Sequence, residues 1–122
     1  MKRLLVSVVD DDESVRESLP DLLRSFGFDA EPFESGDAFL ASDKLHETDC
    51  VVLDVGMPGL SGPEVQKELS RRGFVAPVIF ITARPDGAVR SEVLGAGAVA
   101  FLVKPFSEAA IIDAINAALG SS

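Results

Sequence analysis

Five short runs rich in apolar residues recur along the chain: Leu4 to Val9, Asp29 to Phe33, Cys50 to Leu53, Val78 to Ile81 and Phe101 to Val103. All but the second are apolar nearly throughout, the pattern of strands covered on both faces of a parallel sheet. Asp29 to Phe33 alternates instead and contains Pro32, which predicts an edge strand. Between the runs the period changes to that of a helix. Val15, Leu19, Leu22, Leu23 and Phe26 share one helical face, and Gly27 supplies the left-handed residue that ends such a helix. Pro20 interrupts that pattern, removing a backbone donor, so a kink or a shortened first turn is expected. Ser61-Gly62-Pro63-Glu64 has capping-box spacing and opens a helix predicted over about Gly62 to Arg72, with Gly73 as its stop. Further helices are predicted from Gly87 to Ala96, ending at Gly97, and from a Ser107 N-cap to Leu119, ending at Gly120. Ser35 to Ser42 carries a weaker helical pattern.

Strand and helix alternate with short connections and without internal repeats, the signature of an α/β fold with an open, doubly wound parallel sheet and helices on both faces. The 122 residues suit a single domain, 1–122. Gly120-Ser121-Ser122 reads as a free terminus or the beginning of a linker. Hydrophobic residues make up 47% of the chain and charged residues 25%, which excludes a disordered segment or a disulfide scaffold. A net charge of -9 repels a phosphate backbone, so direct nucleic-acid binding by this segment is not expected. Cys50 sits inside an apolar run, predicting a buried reduced thiol and a cytoplasmic location. Apolar stretches fall far short of the roughly 20 residues of a membrane span, and Met1-Lys2-Arg3 leads to no cleavage signal.

Ligands of such a sheet bind beyond the carboxyl ends of its strands, which makes the residue after each apolar run informative. Those residues are Asp10 and Asp11, then Asp54, Thr82 and Lys104. Individually each has a plain structural explanation: Asp11 or Asp12 as a helix cap, Thr82 as a β-former, Lys104 as a solvated cation and Phe101 as core. Their common position at one end of successive strands argues for a site. Carboxylates gathered there repel one another unless a hard cation neutralises them, and Mg²⁺ suits one or two carboxylates with a carbonyl, waters and a phosphoryl oxygen.

The ordered set Val8-Val9-Asp10-Asp11, Val52-Leu53-Asp54-Val55-Gly56-Met57-Pro58-Gly59, Ile81-Thr82-Ala83 and Lys104-Pro105-Phe106 resembles the receiver domains of two-component response regulators over essentially the whole chain. Gly95-Ala96-Gly97-Ala98 and the Lys104-Pro105-Phe106 turn look most like the FixJ/LuxR-type subgroup, whose members often carry a C-terminal helix-turn-helix. The resemblance implies a CheY-like, flavodoxin-like strand order 2-1-3-4-5. It implies phosphotransfer to Asp54 from a sensor histidine kinase or phosphotransfer protein, with Mg²⁺ or Mn²⁺ held by Asp10, Asp11, Asp54 and the backbone carbonyl of Gly56. Lys104 would pair with the phosphoryl group, Thr82 would turn towards it, and Phe101 would rotate inward. The expected output is control of transcription if a DNA-binding domain follows. A phosphorylation-dependent homodimer through the fourth helix, fifth strand and fifth helix is expected from apolar residues near that face, including Val89, Val93 and Ile112. Asp12, Gly56 and Arg84 depart from the usual pattern, or add to it, and are expected to modulate the site.

Other functions fit less well. An aspartyl-phosphate phosphohydrolase with Asp10 as nucleophile needs a longer core and a cap domain. A flavodoxin-like electron carrier needs a hydroxyl-rich phosphate loop where this chain has acids. A degenerate receiver acting only as an interaction module lacks the full set of matching residues. The expected domain is therefore a signalling phosphoacceptor and no turnover enzyme.

Overall fold

Parallel strands β1 (Leu5–Val9), β2 (Asp29–Phe33), β3 (Cys50–Asp54), β4 (Val78–Thr82) and β5 (Ala100–Val103) form one sheet in the order β2-β1-β3-β4-β5. They are seen in a computed structural model that describes residues 3–120. Met1, Lys2, Ser121 and Ser122 lie outside the described residues, and with them most of the expected terminal tail. Every residue of β3 and β4 is buried, as their unbroken apolar runs require, whereas β2 lies at an edge where Pro32 withholds no needed donor.

Four α-helices lie in the connections between strands, α1 (Glu13–Ser25), α2 (Gly36–Leu40), α3 (Gly62–Arg71) and α4 (Gly87–Gly95), and α5 (Glu108–Ala118) follows β5. Leu19 and Leu23 of α1 and Ile111, Ile112 and Ile115 of α5 cover one face of the sheet through Val6, Val8, Val52, Ile79 and Ile81. Phe39 of α2, Val65 and Leu69 of α3 and Val93 of α4 cover the other through Val9, Val51, Leu53 and Phe80. Each fully buried aliphatic chain contributes about 1.5–3 kcal/mol, so both layers are held chiefly by this burial.

The helices keep most of the expected punctuation. Ser61 accepts from the Glu64 N–H while Glu64 Oε1 accepts from the Ser61 N–H, the reciprocal capping box. Ser107 caps α5 through the Ala110 N–H. Two details differ from expectation. Helix α1 runs without interruption through Pro20, which is buried; the first turn is not shortened. One lost backbone bond is tolerated there because the ring itself packs inside. The single helix expected over Ser35 to Ser42 ends at Leu40, and a separate 3-10 turn over Asp43–Glu47 follows, capped by Ser42 and anchored by buried Leu45.

Candidate functional site

The carboxyl ends of β1, β3, β4 and β5 converge on one cleft of about 520 Å³, lined by Asp11, Asp54, Gly56, Thr82, Arg84 and Lys104 among others. Asp10 stands one residue beyond β1 and is fully buried. Its N–H donates to the Phe33 carbonyl at 3.0 Å, closing the β1–β2 edge. Its Oδ1 accepts from the Asp12 N–H at 2.9 Å, and its carbonyl accepts from Arg16 Nη1 at 3.1 Å. Asp11, next along the loop, is exposed. Asp54 is the last residue of β3 and only 5% exposed.

Lys104 follows β5 directly, and its N–H donates to the Thr82 carbonyl at 2.7 Å, fixing where its side chain starts. The ammonium lies 2.7 Å from Asp10 Oδ2 and 3.6 Å from Asp54 Oδ1. The Asp10 contact is an ion pair without hydrogen-bond alignment, because Oδ2 has no properly directed donor. One carboxylate oxygen from each of Asp10, Asp11 and Asp54 lies within 4.8 Å of the others. The expected acids and lysine are thus brought together by three strand ends that no local stretch of sequence links.

Their electrostatics follow from that crowding. Burial, and then the neighbouring charge of Asp10, push the Asp54 carboxyl up to about 7, with Lys104 only partly opposing them. Burial alone would lower the Lys104 ammonium, but Asp10, Asp54 and Asp12 together leave it above its usual value. A second cation in the cleft would relieve the remaining repulsion, and the all-oxygen donor set suits a hard ion. The three acids therefore fit such an ion.

Other expected residues have more particular places. Asp12 is the N-cap of α1, its Oδ1 accepting from Ser14 N–H at 3.0 Å and Ser14 Oγ at 2.7 Å, and those bonds hold its carboxyl below the usual range. It also borders the cleft. Thr82 is buried at the end of β4, with its hydroxyl donating to the Arg84 carbonyl and accepting from the Arg84 N–H, each at 3.0 Å. In this conformation the hydroxyl is engaged with the loop. Arg84 is exposed at the rim. Gly56 is exposed, and a Cβ built there would meet nothing within 4 Å, so that wall of the cleft is open. Phe101 is half-buried, opposite Phe80 in the β4–β5 register and packed on the second core layer.

The apolar residues expected near the face of α4, β5 and α5 are mostly not on its surface. Val93 is fully buried and Ile112 is only 6% exposed, because they form the inward stripes of their helices; Val89 is half-buried and borders the cleft. The exposed apolar residues of that region are Val99 and Val103. Sequence reasoning also passed over Arg16 and Asp86. Asp86 caps α4 through Ala88 and Val89 N–H groups, and its only signal was an acid ahead of Gly87. Cys50 is buried and its thiol is pushed up to about 12 by burial, followed by the charge of Asp49. No helix among the described residues is long and apolar enough to cross a membrane.

A family model described as the response regulator receiver domain matches residues 6–116. The transcriptional regulatory protein TdiR of Thauera aromatica is 46% identical over 114 residues, covering 93% of this chain and 50% of TdiR. The transcriptional regulatory protein FixJ of Azorhizobium caulinodans is 46% identical over 119 residues, covering 98% of this chain and 56% of FixJ. The solved structure of the response regulator StyR superposes with a TM-score of 0.90 at 44% identity, covering 98% of this chain and 60% of StyR. The chain spans about half the length of the curated relatives it matches.

Proposed function

Because the chain belongs to the family of response regulator receiver domains, which are signalling domains, we propose that residues 1–122 form one receiver whose phosphoacceptor is Asp54. The observation that supports this best is the strand-end cluster in which Lys104 touches both Asp10 and Asp54 while Asp11 opens the group to solvent. Asp10, Asp11, Asp54 and the Gly56 carbonyl would hold Mg²⁺ or Mn²⁺. When bound, the ion neutralises charge that accumulates as two anionic groups approach.

The reaction assigned to Asp54 is nucleophilic. A carboxylate oxygen forms a bond to phosphorus as the phosphorus–nitrogen bond of a phosphohistidine on the donor breaks, and the departing imidazole nitrogen takes up a proton. Lys104 pairs with a phosphoryl oxygen as a point charge. Thr82 exchanges its bonds to Arg84 for one to the phosphoryl group, and Phe101 turns further inward, so that a local charge of about -1.5 to -2 reaches α4, β5 and α5. Asp12, Gly56 and Arg84 shape the mouth of the cleft and with it access of water to the phosphorylated carboxylate.

The donor is a sensor histidine kinase or phosphotransfer protein in the cytoplasm, and phosphorylation favours a homodimer. Control of transcription is the proposed output, since TdiR and FixJ are transcriptional regulatory proteins. Catalysis ends with self-phosphorylation and self-dephosphorylation; no free substrate is turned over. Incubation with a small phosphodonor and Mg²⁺ should add one phosphoryl group, placed on Asp54 by mass spectrometry and lost in Asp54→Asn. Undiminished labelling of that variant refutes the assignment, and no labelling of the parent chain leaves an interaction module instead.

A further inference from the structure

Three of the four polar groups of Asp10 are hydrogen-bonded, the fourth, Oδ2, has only the Lys104 ammonium beside it, and these partners do not come from one place. Phe33 of the neighbouring strand receives its N–H, Lys104 faces Oδ2, and Asp12 of its own loop donates to Oδ1. The carbonyl alone is reached by a side chain of the following helix, with Arg16 Nη1 at 3.1 Å. Arg16 is half-buried, and its own N–H donates to the Asp12 carbonyl at 3.1 Å. A closed ring results. It runs from Asp10 to Asp12 through the Oδ1 bond, from Asp12 to Arg16 along the first turn of α1, and from Arg16 back to Asp10 through the guanidinium. Asp11 lies inside this ring, and its backbone is fixed from both sides.

We infer that Arg16 is a positioning residue for the acidic loop, its guanidinium holding the Asp10 carbonyl so that the carboxylates of Asp10 and Asp11 converge on Asp54. This rests on the receiver reading, since the purpose of convergence there is to hold a divalent cation. Metal-site groups of this kind, one step removed from the ligands, orient them and commonly change affinity by about tenfold or more. A cation beside a cation site would otherwise be a fault. By charge alone Arg16 repels Mg²⁺, so its removal should tighten binding; by positioning, its removal should weaken binding. The sign of the change separates the two.

The full chain and its Arg16→Met and Arg16→Lys variants provide the test. Met keeps the stem without charge or donor; Lys keeps the charge with a different reach. The sequence has no Trp or Tyr, so amide NMR is the suitable readout. In the metal-free protein, hydrogen exchange at the Asp12 amide should accelerate in R16M, while β3 amides keep parental protection. On titration with MgCl₂, the dissociation constant of R16M should rise about tenfold, with R16K between it and the parent. Labelling by a small phosphodonor should slow at limiting Mg²⁺ and return to the parental rate at saturation.

Equal or tighter Mg²⁺ binding by R16M, or unchanged exchange at Asp12, overturns the inference while parental labelling on Asp54 leaves the receiver reading intact. If R16M loses β3 protection, R16K decides on the same criteria. A parent chain that neither binds Mg²⁺ nor accepts phosphate on Asp54 overturns the receiver reading, and the inference falls with it.

Discussion

Gly62 and Gly87 occupy the same position in their helices, the first residue after the N-cap, yet replacing each by Ala should have opposite results. A Cβ on Gly62 would lie 2.3 Å from the Asp54 carbonyl oxygen and 2.9 Å from Phe80 Cε1. Neither neighbour can give way easily: Asp54 ends a fully buried strand and Phe80 is 0% exposed. The Gly62 N–H also donates to the Val55 carbonyl at 2.9 Å, so the start of α3 is tied to the segment it would have to leave. Overpacking of this kind costs about 1–3 kcal/mol, and a backbone obstacle places it near the upper end. The intrinsic advantage of Ala over Gly offsets roughly 0.5–1 kcal/mol of that. A net loss of about 2 kcal/mol corresponds, in a domain of this size, to a fall in Tm of roughly 8 °C.

At Gly87 a Cβ would meet nothing within 4 Å. Gly87→Ala should therefore be neutral or raise stability by about 0.4–1 kcal/mol through the unfolded chain. Thermal and urea unfolding of the pair, with equal m-values, measures both. Labelling adds a second reading: Gly62→Ala should slow phosphorylation because the displaced carbonyl belongs to the acceptor, whereas Gly87→Ala should leave the rate alone. Equal Tm for Gly62→Ala and the parent would refute the close-packing argument, because no buried backbone accommodates a methyl group at those distances for nothing.

Asp11→Ala should lose most of the Mg²⁺ affinity while keeping the fold, as Asp11 is exposed and the proposed site has few other ligands; retention of parental affinity in an NMR titration would count against its role. Glu68 is held at about 2 by hydrogen bonds from Arg71 and Arg72, so its contribution to stability is complete above about 4.5, its ordinary value, and is lost as the pH falls towards about 2. Carboxyl NMR should find that midpoint and see it return towards 4.5 in Arg71→Ala/Arg72→Ala; an unchanged midpoint would break the assignment. Cys50, buried and with its thiol near 12, should resist iodoacetamide at pH 8 until the chain unfolds, and rapid native-state alkylation would contradict its packing. Sedimentation with a phosphate mimic and Mg²⁺ should detect self-association in the parent and not in Thr82→Ala, whereas equal masses with and without the mimic would remove the dimer from the proposal.

The sheet was legible because burial on both faces leaves one local mark, an unbroken apolar run, in β1, β3 and β4, although the like run of β5 lies half-buried at an edge with Val103 exposed, and the strand order followed from the family resemblance. The strand-end rule then located Asp10, Asp54, Thr82 and Lys104, even though the final residues of β3 and β4 are Asp54 and Thr82 themselves rather than residues beyond them. What stayed hidden depends on direction. Val93 and Ile112 are apolar on any reading, and only the packed helices decide that they face inward. On sequence alone Asp12 suits a helix cap or a modulator of the site, and the Ser14 bonds make it the N-cap. Arg16 left no periodic trace, since its partner is a carbonyl and carbonyls are the same in every residue.

The same distinction explains how a site of like charges coexists with a stable fold. The Asp10 backbone is held by Phe33 and Arg16, and its carboxylate has the Asp12 N–H on Oδ1 and the Lys104 ammonium 2.7 Å from Oδ2, a contact without hydrogen-bond alignment. Among the described residues Asp54 has one ion-pair contact, the same ammonium at 3.6 Å, and burial with the charge of Asp10 pushes it up to about 7, so its charge is the less compensated of the two. The imbalance falls on the residue proposed to react. A carboxylate drawn close to a fixed ammonium makes a poorer nucleophile, whereas one whose charge lacks compensation gains most from a cation and then from bond formation. Thr82 lines the same cleft as Asp54, with its hydroxyl engaged by Arg84. Lys104 spans the proposed acceptor and the proposed readout, its ammonium 3.6 Å from Asp54 and its backbone N–H bonded to the Thr82 carbonyl.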